Sequence, residues 1–128
     1  MNQHPGHNGD DQWLPSVLAT GQQPSRTQRK DRYNAESMRH PAKMLPAIAA
    51  QVIKAFTRPG ELVVDPVCGI GTTLVEAVHQ GRDAIGMEHE HDFALLASGN
   101  LSRARCQGAT GTRLVVWGDA RGIHRSIP

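Results

Sequence analysis

The sequence has few cysteines, no long apolar run and almost no excess of charge. Its two cysteines, Cys68 and Cys106, form no Cys-x-x-Cys pair, which argues against a disulfide scaffold and a structural zinc site and favours a cytoplasmic protein. The apolar runs are too short for a membrane span, and the N-terminal part carries no charged-then-apolar leader, so we expect neither a membrane segment nor a secretory signal. The formal net charge of +2 is too small to indicate a nucleic-acid binder.

Composition divides the chain near residue 37 into a polar arm and a folded domain. Residues 1–36 contain too few bulky apolar side chains to bury a core, so we expect a flexible polar arm that is mobile or loosely docked. The basic stretch from Arg26 to Lys43, which begins in this arm and continues into the domain, is either a solvated surface or a nucleic-acid-binding surface. No metal site is expected, because neither the early histidines nor the run at residues 88–91 implies converging ligands.

Residues 37–128 alternate between helical and strand patterns. Apolar residues at helical spacing predict a helix over residues 46–57, and short apolar runs predict strands at 62–65, 84–88 and 114–117. A glycine-rich loop at 66–71 leads to a helix over 72–80, which Thr72 or Thr73 could cap, and a further helix covers 92–106, with Phe93 and Leu96 on its apolar face. This order predicts an α/β fold with a parallel sheet and right-handed crossovers.

An acidic residue ends each of the first two predicted strands and follows the third after one glycine: Asp65, Glu88 and Asp119. In an open parallel sheet, ligands bind beyond the carboxyl ends of the strands. Glu88 also follows Asp65 at about the spacing at which a nucleotide-binding unit places the carboxylate for ribose hydroxyls. Gly71 is followed by Thr72 instead of Lys, and no third glycine completes G-x-G-x-x-G, so both common phosphate loops are absent. An acidic loop without phosphate ligands suits S-adenosylmethionine, which carries an ammonium and a sulfonium.

Two motifs carry a family resemblance. HPAKM at residues 40–44 looks like motif X, and DPVCGIGTT at residues 65–73 looks like motif I, of bacterial DNA methyltransferases that modify adenine N6 or cytosine N4. Residues 86–88 and 118–121 resemble the motifs that follow the second and third strands of that family. The match covers residues 40–121 and implies a partial Rossmann-like, S-adenosylmethionine-dependent methyltransferase fold with three parallel strands.

The resemblance implies a cofactor site but no catalytic residue. Asp65 and the backbone of residues 68–71 would hold the methionine moiety, Glu88 the ribose, and Asp119 the adenine amino group. Met87 and His89 would flank the adenine ring, whereas Cys68 lines the loop and is not a nucleophile. Lys43 either meets the cofactor carboxylate or is a solvated lysine before the helix. The implied cofactor-binding residues are His40, Pro41, Lys43, Asp65, Pro66, Cys68, Gly69, Gly71, Thr72, Thr73, Glu88, His89 and Asp119.

The family's catalytic motif, (D/N/S)PP(Y/F/W), is absent from the 128 residues. This motif holds the flipped-out base with its amino group in line with the methyl group. We therefore expect the cofactor-binding half of an enzyme: a truncated gene product, one half of a split enzyme, or a non-catalytic fragment that binds S-adenosylmethionine or nucleic acid. An RNA-directed relative would differ only in its substrate.

A half-sheet also predicts a need for partners. Its last strand and the apolar faces of its helices would be uncovered, so we expect marginal stability, self-association or a chain that carries the catalytic motif. DNA would then be contacted through that missing or second-chain region.

Overall fold

The computed structural model describes residues 23–39 and 44–128 as a three-stranded parallel sheet with helices packed on one face. The elements are α1 (Ser25–Arg29), a 3-10 helix (Ala35–Arg39), α2 (Pro46–Phe56), β1 (Leu62–Asp65), α3 (Thr72–His79), β2 (Asp83–Glu88), α4 (His91–Cys106), β3 (Arg113–Trp117) and a second 3-10 helix (Ala120–Arg125). The predicted α/β class and parallel sheet are confirmed. Within the described ranges, no helix is both long and apolar enough to cross a membrane.

The strand order β1-β2-β3 follows the chain, and the register brings the three acidic strand ends to one edge of the sheet. Asp65 pairs with Gly86 in β2, and Glu88 pairs with Trp117 in β3. The Gly118 amide donates to the Glu88 carbonyl at 2.9 Å, which extends this pairing to the residue before Asp119. Helices α3 and α4 contact each other and both contact β2, so they lie on the same face, as right-handed crossovers predict.

The core lies between the sheet and α3, where Leu74, Val75 and Val78 are fully buried. Helix α4 contributes Ala97 and Leu101, but its buried face differs from the predicted one because Phe93 and Leu96 are only partly buried. The buried cluster comprises Tyr33, Ile53, Cys68, Leu74, Val75, Ala77, Val78, Ala84, Ala97, Leu101 and Ala104.

The opposite face of the sheet exposes apolar side chains. Val63 and Val115 pack against the core, so the alternation of strand side chains directs Val64 and Leu114 to the other face. Val64 is 36% and Leu114 47% exposed. Uncovered apolar surface was expected on the helices and the last strand, and the structure shows it on both. The exposed apolar residues there are Val52, Phe56, Leu95, Leu114 and Trp117.

The described part of the predicted arm, residues 23–36, is not loosely docked. Arg29 and Tyr33 are buried. Arg32 donates from Nε and Nη2 to the Glu76 carboxylate, both at 2.8 Å, and the Tyr33 hydroxyl donates to the same carboxylate at 2.7 Å. The sequence-based expectation is wrong here because it counted only apolar side chains, whereas this segment is held by buried polar contacts. Residues 1–22 lie outside the described residues.

Gly86 in β2 lies where no side chain fits. A Cβ added there would lie 2.4 Å from Leu74 Cδ1 and 2.9 Å from the Cys68 Cβ and Sγ atoms. We expect Gly86→Ala to lower the free energy of unfolding by about 1–2 kcal/mol, because an overfilled core forces its neighbours to shift. Gly118→Ala is the matched control, since its nearest neighbour, Met87 Sδ, is 3.6 Å away. Urea denaturation measures both variants, and equal losses would contradict the prediction.

Candidate functional site

The loop between β1 and α3 is held by backbone hydrogen bonds at the end of the sheet. The Val67 amide donates to Asp65 Oδ1 at 3.1 Å, and the Cys68 amide donates to the Met87 carbonyl at 2.9 Å. The second bond ties the loop to β2. The Gly71 amide donates to the Cys68 carbonyl at 2.8 Å, so residues 68–71 form a tight turn that leads directly into α3.

The residue at the N-cap position of α3 is Gly71. Thr72 and Thr73, which the sequence offered as caps, lie inside the helix. The φ of Gly71, +89°, is in the left-handed region, and a Cβ there would lie 3.2 Å from Ala97 Cβ, so glycine suits both its backbone and its neighbour. No side chain caps the helix. The predicted threonine cap is therefore wrong: the Thr72 hydroxyl accepts a hydrogen bond from Arg29 Nη1 at 3.0 Å.

Glu88 joins the loop to the end of β2. Its side chain is buried, with the residue 6% exposed. Oε2 accepts from the Gly69 amide at 2.7 Å, and Oε1 accepts from the Glu90 amide at 2.9 Å. Each carboxylate oxygen can accept a further bond, so this side chain can support the loop and still accept hydroxyl donors from a ligand.

Two cavities lie along this edge of the sheet and share Val67. The larger, about 350 Å³, is lined by Met44, Asp65, Val67, Cys68, Gly69, Ile70, Thr72, Thr73, Glu88, Glu90 and Phe93. The smaller, about 290 Å³, is lined by Pro66, Val67, His89, Asp119 and Ala120. The structure thus distributes the strand-end acids over two adjoining spaces, with Asp65 and Glu88 in one and Asp119 in the other.

The Asp119 carboxylate in the smaller cavity is paired with Arg121. Arg121 Nη2 donates to Asp119 Oδ2 at 2.6 Å, and the Arg121 amide donates to Oδ1 at 2.9 Å. These bonds hold the pKa of Asp119 well below its usual range, so the carboxylate is ionised. His89 lines the same cavity, whereas Met87, expected to flank the adenine with it, is only 4% exposed.

Some predicted site residues fall elsewhere, and others were missed. His40, Pro41 and Lys43 lie outside the described residues, and Gly71 is buried against α4. The missed lining residues include Glu90 and Phe93. They follow the end of β2, and their proximity to Glu88 along the chain was the available signal.

The two cysteines are expected to differ in reactivity. Burial, together with the charges of Asp65 and Glu88, raises the pKa of the Cys68 thiol to about 12, whereas Cys106 is exposed. The reactive species is the thiolate. Near pH 8 we therefore expect a thiol reagent to modify one cysteine rapidly in the folded chain and both in denaturant. Cys106→Ser should abolish the fast phase, and rapid labelling of Cys68 in the folded protein would contradict the prediction.

Comparison with known proteins identifies the family. A family model described as DNA methylase matches residues 2–98. The chain belongs to the DNA methylase family. This membership confirms the resemblance drawn from the motifs at residues 40–44 and 65–73, and with it S-adenosylmethionine as the cofactor. The matched span begins well before residue 37, so it includes most of the segment that composition alone set apart as an arm.

Two type II methyltransferases are similar to this chain over part of their length. M.ScaI of Streptomyces caespitosus is 34% identical over 96 residues, which are 75% of this chain and 29% of that protein. M.MthZI of Methanothermobacter thermautotrophicus is 33% identical over 72 residues, which are 56% of this chain and 20% of that protein. The chain therefore spans less than a third of the length of either relative.

A solved structure supports the fold. The chain is similar to TrmN from Thermus thermophilus, with a TM-score of 0.60 and 24% sequence identity, over 79% of this chain and 29% of that one. The likeness concerns the arrangement of helices and strands. It agrees with the predicted partial methyltransferase fold.

Proposed function

We propose that this methylase chain binds S-adenosylmethionine along the carboxyl edge of its sheet. We further propose that the complete protein transfers the methyl group to an exocyclic amino group of adenine or cytosine in DNA. The observation that carries the proposal is the buried Glu88 carboxylate bonded to the Gly69 amide, because it joins the glycine loop and the second acidic strand end in one site. The chain contains no (D/N/S)PP(Y/F/W) tetrapeptide, so we assign the holding of the target base to a segment outside these residues.

The larger cavity suits the methionine and ribose parts of the cofactor. Asp65, Glu88 and Glu90 line it, and their carboxylates attract the ammonium and sulfonium charges. Glu88 can accept from ribose hydroxyls in charge-assisted hydrogen bonds. When bound, the cofactor supplies a methyl group on a positively charged sulfur. The residues of this chain bind and orient it.

The smaller cavity suits the adenine ring. Val67 lines both spaces, so they are neighbours, and we place one extended ligand across the two. Asp119 is ionised beside Arg121 and can accept a hydrogen bond from the adenine amino group. His89 and Pro66 provide ring surfaces in the same cavity, as expected for a site that holds a flat aromatic group.

Isothermal titration calorimetry of the purified chain tests the cofactor assignment. We expect S-adenosylmethionine to bind and ATP not to bind, because ATP would bring phosphate charges to an acid-lined cavity. Binding of ATP in preference to S-adenosylmethionine, or of neither, would overturn the proposal. If the chain does not bind S-adenosylmethionine but does bind DNA in a salt-sensitive way, the result would favour a nucleic-acid-binding module.

The substrate and the missing catalytic part are tested by methyl transfer. With labelled S-adenosylmethionine we expect no transfer to DNA by the 128 residues alone, and transfer once a chain or segment with the catalytic motif is added. Transfer to RNA but not DNA would favour an RNA-directed enzyme.

We also propose that the exposed sheet face is covered in the working protein. Val64 and Leu114 are exposed on that face, on either side of the buried Ile85, which supports self-association or docking of a chain that carries the catalytic motif. Sedimentation as a clean monomer with a sharp thermal transition would contradict this part of the proposal.

A further inference from the structure

Arg29 contacts two of the residues that line the larger cavity. The residue is 3% exposed. Its Nη1 donates to Thr72 Oγ1 at 3.0 Å, and its Nη2 donates to the Met44 carbonyl oxygen. Met44 precedes α2 and Thr72 begins α3, so one guanidinium connects two separate walls of the cavity.

The same N-terminal segment also reaches the glycine loop. The Asn34 amide donates to Asn100 Oδ1 at 2.7 Å, and Asn100 Nδ2 donates to the Ile70 carbonyl at 2.9 Å and to Ser37 Oγ at 2.8 Å. Asn100 is fully buried. The contacts of residues 29–37 therefore end on three parts of the cavity wall, at residues 44, 70 and 72.

Arg29 is itself held in a fixed orientation. Its Nε donates to Ser25 Oγ at 3.1 Å, and its guanidinium lies over the Tyr33 ring, 4.8 Å from the centroid. Arginine suits this role because its planar group offers several donors in a rigid fork. Lysine would keep the charge but has a single donor group, so it could bond to Thr72 or to the Met44 carbonyl more readily than to both.

We propose that Arg29 is a positioning residue for the cofactor site and couples the docking of residues 25–37 to cofactor binding. The inference rests on the proposed function, in which the larger cavity holds part of S-adenosylmethionine. Because residues 44, 70 and 72 of the cavity are hydrogen-bonded to the segment directly or through Asn100, the cavity keeps its shape for the cofactor only while the segment is docked. By reciprocity, cofactor binding then stabilises the docked segment.

The test compares Arg29→Lys with Arg26→Lys, an exposed arginine on the same helix. We expect Arg29→Lys to raise the Kd for S-adenosylmethionine about tenfold, as expected for loss of a charged hydrogen bond in the site. We expect Arg26→Lys to change that Kd by less than about twofold. If Arg29 had a structural role only, its variant would lower the unfolding temperature and leave the Kd of the folded chain unchanged, which would overturn the inference.

Two further measurements keep the inference testable if Arg29→Lys does not fold. Thr72→Val removes the hydroxyl acceptor with little change in shape and is expected to weaken cofactor binding in the same direction. In the wild-type chain, S-adenosylmethionine should slow hydrogen exchange at the Arg32 and Tyr33 amides, both of which donate to the Arg29 carbonyl. Unchanged exchange there would overturn the inference. No cofactor binding by the wild-type chain would overturn the proposed function and this inference together, whereas tight binding without coupling would overturn the inference alone.

Discussion

Replacing Glu88 by alanine is expected to raise the Kd for S-adenosylmethionine by about 30- to 100-fold, which corresponds to about 2–3 kcal/mol. The side chain is buried and accepts from the Gly69 and Glu90 amides at 2.7 and 2.9 Å. Truncation removes the proposed ribose acceptor and also leaves both amides without that partner. The variant therefore loses the hydrogen bonds that hold the loop and those proposed for the ligand at the same time.

Two variants separate these effects in calorimetric titrations. Glu88→Gln keeps an oxygen acceptor but removes the charge, so its Kd should lie between those of wild type and Glu88→Ala. Glu90→Gln removes a charge from the same cavity at an exposed residue and should have a much smaller effect. An unchanged Kd for Glu88→Ala would remove Glu88 from the site.

Replacing Glu76 by alanine is expected to lower the free energy of unfolding by about 2 kcal/mol, since it leaves the buried Tyr33 hydroxyl and the partly exposed Arg32 guanidinium without their acceptor. Glu76 is 4% exposed and accepts from Arg32 Nε and Nη2 and from the Tyr33 hydroxyl. Burial and the nearby Glu76 carboxylate raise the pKa of Tyr33, so its hydroxyl keeps the proton that it donates. The variant would undock residues 25–37 from α3.

Urea denaturation followed by circular dichroism measures this loss. Glu76→Gln retains an acceptor for Tyr33 and should cost less than the alanine variant. Glu36→Ala replaces an exposed glutamate and should change the stability by less than about 0.5 kcal/mol. Similar values for Glu76→Ala and Glu36→Ala would show that the ion pair does not hold the segment.

Much of the domain could be predicted because its signals are local. The Pro59-Gly60 pair, Gly81 and the short apolar runs place the ends of β1, α3 and β2 within a residue or two of the observed bounds. The docking of residues 29–37 could not be predicted in this way, because the residues that they contact are far along the chain. Arg29 bonds to Thr72 and Arg32 bonds to Glu76, and neither pairing leaves a trace in local composition.

The same distinction holds for the candidate site. The three acidic strand ends could be assigned to one edge, because parallel strands end on the same side of a sheet. The division into two cavities depends on how the loops after β1 and β3 fold. The pairing of Asp119 with Arg121 is local, since the residues are two positions apart, and it was missed.

The amino-acid order alone establishes the alternation of strands and helices, the glycine loop and the family, since these follow from periodicity and from residues adjacent in the chain. The docking of the N-terminal segment and the contacts of Arg29 with residues that line the cavity follow only from the tertiary structure. Arg29 and Arg32 contact Thr72 and Glu76, more than forty residues away along the chain. The strength of a buried hydrogen bond depends on distance and burial in space, which sequence patterns do not record.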